Sequence, residues 1–210
     1  FRNNSDTEVL VHGYEEYGTD LPKHCRGMFA FMIYDTNKDI AFGARDYFGI
    51  KPFYYSVVKG NLVFGSEIKS ILEYPGYEKK VNTEALEEYL TFQYSVLPET
   101  FFKGIFKLPP AHSILFKDGK VDIQRYWEPD YDIDENADFD ELVDKIDARM
   151  AESVETHMIS DVEVGSLLSS GIDSSYIATI SKADKTFTVG FDYDKFNEIS
   201  YAKDLSEKIG

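Results

Sequence analysis

Leu167-Leu168-Ser169-Ser170-Gly171-Ile172-Asp173-Ser174 is the stretch on which the reading of this chain turns. The run Val162 to Leu168 before it has the length and apolar character of a buried strand. Asp173 to Lys182 after it reads as a helix with Ile177 and Ile180 turned inward. In open α/β sheets, ligands bind where such a strand ends. There, unpaired N–H groups and the positive end of the helix dipole attract anions. Ser169, Ser170 and Gly171 have side chains small enough to leave their N–H groups open to a phosphate. Ser169, Ser174 and Ser175 add hydroxyl donors. Asp173 narrows the ligand further, because a carboxylate beside a polyphosphate repels it unless Mg2+ lies between them. The stretch therefore predicts a loop for the phosphates of ATP. It lacks the Lys-Ser/Thr ending of a Walker A loop and the spacing of a dinucleotide fold. An ordinary loop with Asp173 as a plain helix cap is the alternative; the position after a buried strand favours the phosphate loop.

Downstream, Thr186 to Phe191 predicts a second strand, and Ile199, Ala202, Leu205 and Ile209 mark a second helix. Strand, helix, strand, helix at crossover spacing is the pattern of a parallel α/β sheet. Such a sheet needs cover on both faces and more than two strands. Residues 130–210 are thus expected to be the start of a larger domain, and the chain a fragment. Upstream, nine acidic residues between Asp130 and Asp147 against Lys145 alone read as a solvated linker and helix start. From Asp138 a helix is expected to bury Phe139, Leu142, Val143, Ile146 and Met150.

Residues 1–129 follow another grammar. Ser5-Asp6-Thr7-Glu8 fits a capping box, Leu10, Tyr14 and Tyr17 share one helical face, and Gly18 can end the helix. Strands are expected at 28–34 and 39–45, at 52–58 and 61–66, and at 112–117 and 120–127. Each pair is joined by a short turn, which implies antiparallel sheet. Asn82 caps one further helix, with Leu86, Tyr89 and Leu90 as its apolar stripe. The expected architecture is α+β followed by α/β.

The totals exclude several classes. The 210 residues carry a net charge of −16, which argues against a nucleic-acid partner. No apolar run approaches a membrane span, and the N-terminus has no signal-peptide pattern; a cytoplasmic protein is expected. Cys25 is the one cysteine, so neither an internal disulfide nor a Cys-based metal site is expected.

Ser169 to Ser174 resembles the SGGxDS loop of the N-type ATP pyrophosphatases, which split ATP to AMP and pyrophosphate. Ser160 to Gly165 resembles the SDVPVG strand that precedes it in asparagine synthetases. Thr186 to Phe191 resembles their next strand, and Phe196-Asn197-Glu198 falls at their F-x-E segment. Ser170 stands in place of a glycine, Glu163 of a proline, and His157 of an arginine. Upstream, Ser5-Asp6-Thr7-Glu8 resembles the SDTE motif of class II glutamine amidotransferases. Gly27 to Phe31, Arg45-Asp46 with Gly49 to Tyr55, and Phe64 to Lys69 match three further blocks. The chain is similar throughout to glutamine-hydrolysing asparagine synthetases.

That resemblance implies an Ntn-hydrolase-type antiparallel amidotransferase domain, partial, over 1–129 and a truncated ATP-pyrophosphatase domain over 130–210. It implies glutamine, aspartate and ATP as substrates, with ammonia passing from the first domain to an aspartyl-adenylate in the second. Asp6 would bind the glutamine α-amino group. Ser169, Ser170, Gly171, Asp173 and Ser174 would bind pyrophosphate, with Mg2+ on Asp173, and Leu167 and Val189 would hold the adenosine. The family nucleophile is an N-terminal cysteine, whereas residue 1 is Phe1, so the resemblance places no catalytic residue in this chain and no glutaminase activity is expected of it. The aspartate pocket is expected beyond Gly210, and a homodimer is left open. Two alternatives stand beside this one: a β-lactam synthetase-like ligase, or a non-catalytic nucleotide-binding scaffold. Glucosamine-phosphate synthases and phosphoribosyl amidotransferases share the first domain but not the loop.

Overall fold

The computed structural model describes residues 1–2, 5–190 and 198–209. It divides into two compact units, Phe1–Tyr131 and Asp132–Gly210.

The first unit opens with α1 (Asp6–Tyr17). Ser5 Oγ caps the helix by accepting the Thr7 N–H at 3.2 Å, and the Glu8 carboxylate accepts the N–H of Arg2, three residues ahead of the cap, at 2.7 Å. Gly18 ends the helix at φ 56, a backbone conformation open to glycine. A 3-10 segment, Gly18–His24, follows. No apolar periodicity announced it: its seven residues make little more than two turns of a 3-10 helix, too few to show a pattern.

Three hairpins come next: β1 (Ala30–Asp35) with β2 (Ile40–Arg45), β3 (Tyr54–Val58) with β4 (Asn61–Gly65), and, after β5 (Phe106–Lys107), β6 (His112–Lys117) with β7 (Lys120–Arg125). All are antiparallel, as their turns predict. Lys59-Gly60 and Asp118-Gly119 both lie at positive φ, the geometry of a two-residue turn whose twist matches its strands. The strands assemble as β1-β2-β6-β7 and β4-β3-β5. Alternation along β1 divides its side chains between two cores. Phe31 joins Phe42, Ala44 and Leu21 under Leu10 and Tyr14 of α1. Ala30 and Met32, with Ile114 of β6 in the same sheet, face Phe53, Tyr55 and Leu108 of the second sheet and its flanks. The first sheet is therefore sandwiched between α1 and the second sheet.

Two short helices, α2 (Ile68–Leu72) and α3 (Thr83–Phe92), lie between β4 and β5. Asn82 caps α3 as expected, accepting the Ala85 N–H at 3.4 Å. The stripe predicted for its buried face is wrong: Leu86, Tyr89 and Leu90 are exposed and Ala85 is the buried residue.

The second unit contains α4 (Phe139–His157), β8 (Gly165–Leu167), α5 (Ile172–Ser181), β9 (Lys185–Phe187) and α6 (Ile199–Ile209). Asp138 caps α4 through the Glu141 N–H at 3.1 Å. β8 and β9 pair in parallel, Gly165 opposite Lys185. Glu163, which stands where the related strand has proline, pairs with Lys185 at 2.5 Å and ties the entry of one strand to the other. The small core comprises Leu168, Ala178 and Ala202 with Leu205 against them.

Here the sequence overstates burial. Phe139 is 76% exposed, and Leu142, Val143 and Ile146 are exposed with it. Ile177 is exposed and Ile180 half-buried, while Ala178 takes the inward position. The strand expected at 162–168 shrinks to three residues, none of them buried, with Leu168 buried just after it. The strand expected at 186–191 spans 185–187, and Phe191 lies outside the described residues. A parallel sheet with two strands among the described residues has little face to offer the helices, so apolar periodicity is present without a surface to bury it.

Candidate functional site

β8 delivers the chain to the loop Leu168–Gly171, and α5 begins at Ile172. Leu168 is the anchor: its side chain is buried, its N–H bonds the Phe187 carbonyl at 2.9 Å, and its carbonyl accepts the Thr188 hydroxyl at 2.9 Å. β9 and the residue following it thus hold the base of the loop by backbone and side chain together.

Above that base the serines bond to one another. Ser169 Oγ and Ser174 Oγ lie 2.8 Å apart, and Ser174 Oγ also takes the Ser169 N–H at 3.2 Å. The Gly171 N–H donates to Ser169 Oγ at 3.2 Å. Ser175 Oγ donates back to the Gly171 carbonyl at 2.8 Å. Gly171 has an ordinary φ of −74, so conformation does not demand glycine there. Space is merely tight: an added Cβ would lie 3.3 Å from Ser169 Oγ, so that hydroxyl would have to give by a few tenths of an ångström. Ser170 N–H reaches another element, donating to Glu198 Oε2 at 3.1 Å.

All three N–H groups assigned to phosphate by sequence are thus engaged by acceptors of the chain itself. Gly171 gives α5 no side-chain cap, so the first turn of that helix retains its unpaired N–H groups beside the exposed Asp173. Leu167 ends β8 and Val189 lies two residues beyond β9; each is 77% exposed, an apolar surface near the loop base. No cluster of three or more metal-ligating side chains occurs among the described residues. A Mg2+ carried on phosphates needs none, since it keeps its waters and takes one or two carboxylates from the protein. Asp173 suits that role.

The first unit holds a cavity of about 780 Å³. Among its lining residues are one carboxylate, Asp6, and the bases His24, Arg26 and Lys51, set among Leu10, Tyr17, Leu21 and Phe29. α1 supplies Asp6, whose Oδ1 accepts the Thr7 hydroxyl at 3.4 Å. The 3-10 segment brings in His24, stacked on Tyr17 at 3.8 Å between centroids. Cys25 follows; burial pushes its thiol up, and Sγ donates to the Leu21 carbonyl at 3.5 Å. It has the character of a packed thiol, not of an activated one. One anionic side chain, Asp6, and two cationic ones, Arg26 and Lys51, around apolar walls match a zwitterionic amino acid. Sequence reading singled out only Asp6, because nothing in the local pattern of 24–26 or 51 points inward.

Lys51 is placed by a buried knot. Arg45 (3% exposed) donates to the carbonyls of Lys51 and Leu108, both at 2.7 Å, and to that of Gly49. Asp46 (1% exposed) accepts the N–H groups of Ile50 and Lys51 at 2.9 Å and of Phe48 at 3.2 Å. Gly49 has φ 65, and a Cβ there would come within 2.9 Å of the Arg45 guanidinium carbon and of Pro110. The Arg-Asp and Gly-Ile-Lys-Pro blocks are one structure: Asp46 is engaged by the backbone of the turn, and Arg45 by that turn and by Leu108.

The comparisons with known proteins divide along the same lines. The model of the glutamine amidotransferase domain matches residues 1–127, and that of asparagine synthase matches residues 145–210. Asparagine synthetase [glutamine-hydrolyzing] 1 of Bacillus subtilis (strain 168) is 37% identical over 215 residues, covering 100% of this chain and 34% of that protein. Asparagine synthetase [glutamine-hydrolyzing] 3 of the same organism is 38% identical, covering 86% of this chain and 30% of that protein. The chain therefore spans about a third of the length of these relatives. Among solved structures, glutamine phosphoribosylpyrophosphate amidotransferase from B. subtilis aligns over 99% of this chain and 44% of that one, with TM-score 0.43 and 16% identity. With a match that covers more than half its length, the chain belongs to the glutamine amidotransferase domain family, and an asparagine synthase-type segment follows that domain.

Proposed function

We propose that this chain is part of a glutamine-dependent asparagine synthetase, with an amidotransferase domain over 1–129 and an ATP-pyrophosphatase domain beginning at 130. One observation carries the reading: a strand-loop-helix of Ser-Ser-Gly-Ile-Asp-Ser follows, in the same chain, an amidotransferase domain whose cavity is charged for an amino acid.

In this reading Asp6 holds the α-amino group of glutamine by charge, and the basic side chains of the cavity favour its carboxylate. The hydrolysis itself needs a nucleophile that the chain's own cysteine does not supply, since Cys25 is a packed thiol. In the second domain, Ser169, Ser170, Gly171 and Ser174 hold the β- and γ-phosphates of ATP. Leu167 and Val189 offer apolar faces to the adenosine. Asp173 would hold Mg2+, which would supply positive charge for the pyrophosphate leaving group. The β-carboxylate of aspartate attacks the α-phosphorus and pyrophosphate leaves. Ammonia then attacks the acyl carbon, and AMP leaves with the formation of asparagine. We assign the reaction to the cytoplasm, where ATP, aspartate and glutamine are all available.

The test uses the longer protein that carries this sequence, supplied with aspartate, glutamine, ATP and Mg2+. Asparagine, AMP and pyrophosphate should appear in equal amounts, and Asp173→Asn should lower pyrophosphate release about 100-fold or more, the scale of removing a charge-stabilising group at a phosphoryl site. ADP as product, or pyrophosphate release unaffected by Asp173→Asn, would refute the assignment.

A further inference from the structure

The Ser170 N–H, one of the groups assigned to phosphate, already holds an anion: the carboxylate of Glu198, at 3.1 Å. Glu198 stands immediately before α6, and its carbonyl accepts the Ala202 N–H at 3.1 Å, so the residue is fixed by a helix start. A single N–H has one good hydrogen-bonding direction, and it cannot donate in full to a carboxylate and to a phosphate at once. Nor can two anions share the position without repulsion. The neighbouring donors differ in kind. Ser169 N–H and Gly171 N–H go to neutral serine hydroxyls, which can rotate away or join a ligand's hydrogen bonds without any separation of charge. Only Ser170 must exchange one anion for another.

We propose that Glu198 is a resident competitor for the phosphate loop: a ligand phosphate reaches the Ser170 N–H only by displacing the Glu198 carboxylate. This rests on the phosphate-loop reading above and adds to it a determinant of affinity. Glu198 lowers the affinity of the empty loop for any phosphate, and it favours ligands that bring their own cation over bare anions. With Asp173 exposed on the first turn of α5, a metal-free polyphosphate meets two carboxylates, while a Mg2+-bound one meets two additional ligands for its metal.

Calorimetric titration of the longer protein that carries this sequence with pyrophosphate, with and without Mg2+, tests the proposal on wild type, Glu198→Gln and Glu198→Ala. Glu198 is exposed, so neither change threatens the fold. Both variants should bind metal-free pyrophosphate about 3- to 10-fold more tightly, the range of one solvent-exposed hydrogen bond to a charged group. The gain with Mg2+ present should be smaller. If Glu198 instead holds the loop in its working shape, Glu198→Ala weakens binding and Glu198→Gln restores it, and the proposal is overturned. The amide resonance of Ser170, followed by ¹H–¹⁵N NMR without ligand, separates this failure from that of the parent reading. A Ser170 amide that moves in both variants, in a chain that binds pyrophosphate in none of its forms, preserves the contact but rejects the phosphate loop, and the competitor role with it.

Discussion

Replacing Asp46 with alanine removes the acceptor of three backbone N–H groups from a site that is 1% exposed. A hydrogen bond to a charged group contributes roughly 1.5–3 kcal/mol net. The three do not add in full, because Phe48, Ile50 and Lys51 are exposed and their N–H groups can turn to water once the turn relaxes. Arg45 moves the estimate the other way, since its buried guanidinium loses the neighbouring negative charge. A loss of about 3–5 kcal/mol is the result, the scale of breaking a buried charged group's contacts. Asp46→Asn keeps one oxygen acceptor and should lose about 1–2 kcal/mol. Trp127 is the chain's single tryptophan and packs edge-on against Tyr47 at 5.3 Å and Phe48 at 5.7 Å, so its fluorescence reports on this turn. With a urea slope of about 1.5–2 kcal/mol per molar, Asp46→Ala should lower the Trp127 midpoint by roughly 1.5–3 M, and Asp46→Asn by under about 1.5 M. A midpoint within about 0.3 M of wild type for the alanine variant would show that the turn stands without its carboxylate.

Two further outcomes follow from groups around the same core. Burial and the negative field of Tyr47 and Asp46 raise the Tyr126 pKa far above that of a free tyrosine, and its hydroxyl donates to the Arg45 carbonyl at 2.7 Å. A raised folded pKa favours the neutral phenol, so this stabilisation is complete below about pH 10, where the unfolded chain's tyrosine titrates, and falls as pH rises beyond it. Urea midpoints should drop from pH 10 upward, and Tyr126→Phe should flatten that drop; an identical slope in the variant would exclude Tyr126 as its source. Cys25, whose thiol burial pushes up, should react with iodoacetamide at pH 8 at least about 10-fold more slowly than free cysteine, and a faster reaction would reveal an activated thiol.

Legibility in the sequence followed how local the physics was. The hairpin turns were readable because Lys59-Gly60 and Asp118-Gly119 state their backbone geometry in two residues. The caps Ser5, Asn82 and Asp138 were readable because capping acts across three residues. Burial was misread on α3 and α4 for the opposite reason. Periodicity says which residues share a face, and only the partner surface decides whether that face is covered; Phe139 and Ile146 share a face and remain exposed. The cavity residues His24, Arg26 and Lys51 were missed because a short 3-10 segment and a buried Arg-Asp knot, neither of them periodic, bring them together.

The loop at 167–174 shows the same division inside one motif. Its position after a strand and before a helix follows from sequence, and so does the preference for small residues, since Gly171 leaves the Ser169 hydroxyl its full room beside Ser174. The state of its donors does not follow. Reading Ser169, Ser170 and Gly171 as open N–H groups treats binding as capture, in which a phosphate gains three hydrogen bonds. With those groups bonded to Ser174, Glu198 and Ser169, binding becomes exchange, and the gain is the difference between the new partner and the old. That difference is smallest for a bare anion at Ser170. The empty loop should therefore bind weakly. In the proposed reading, what it discriminates is whether the phosphate arrives with a cation.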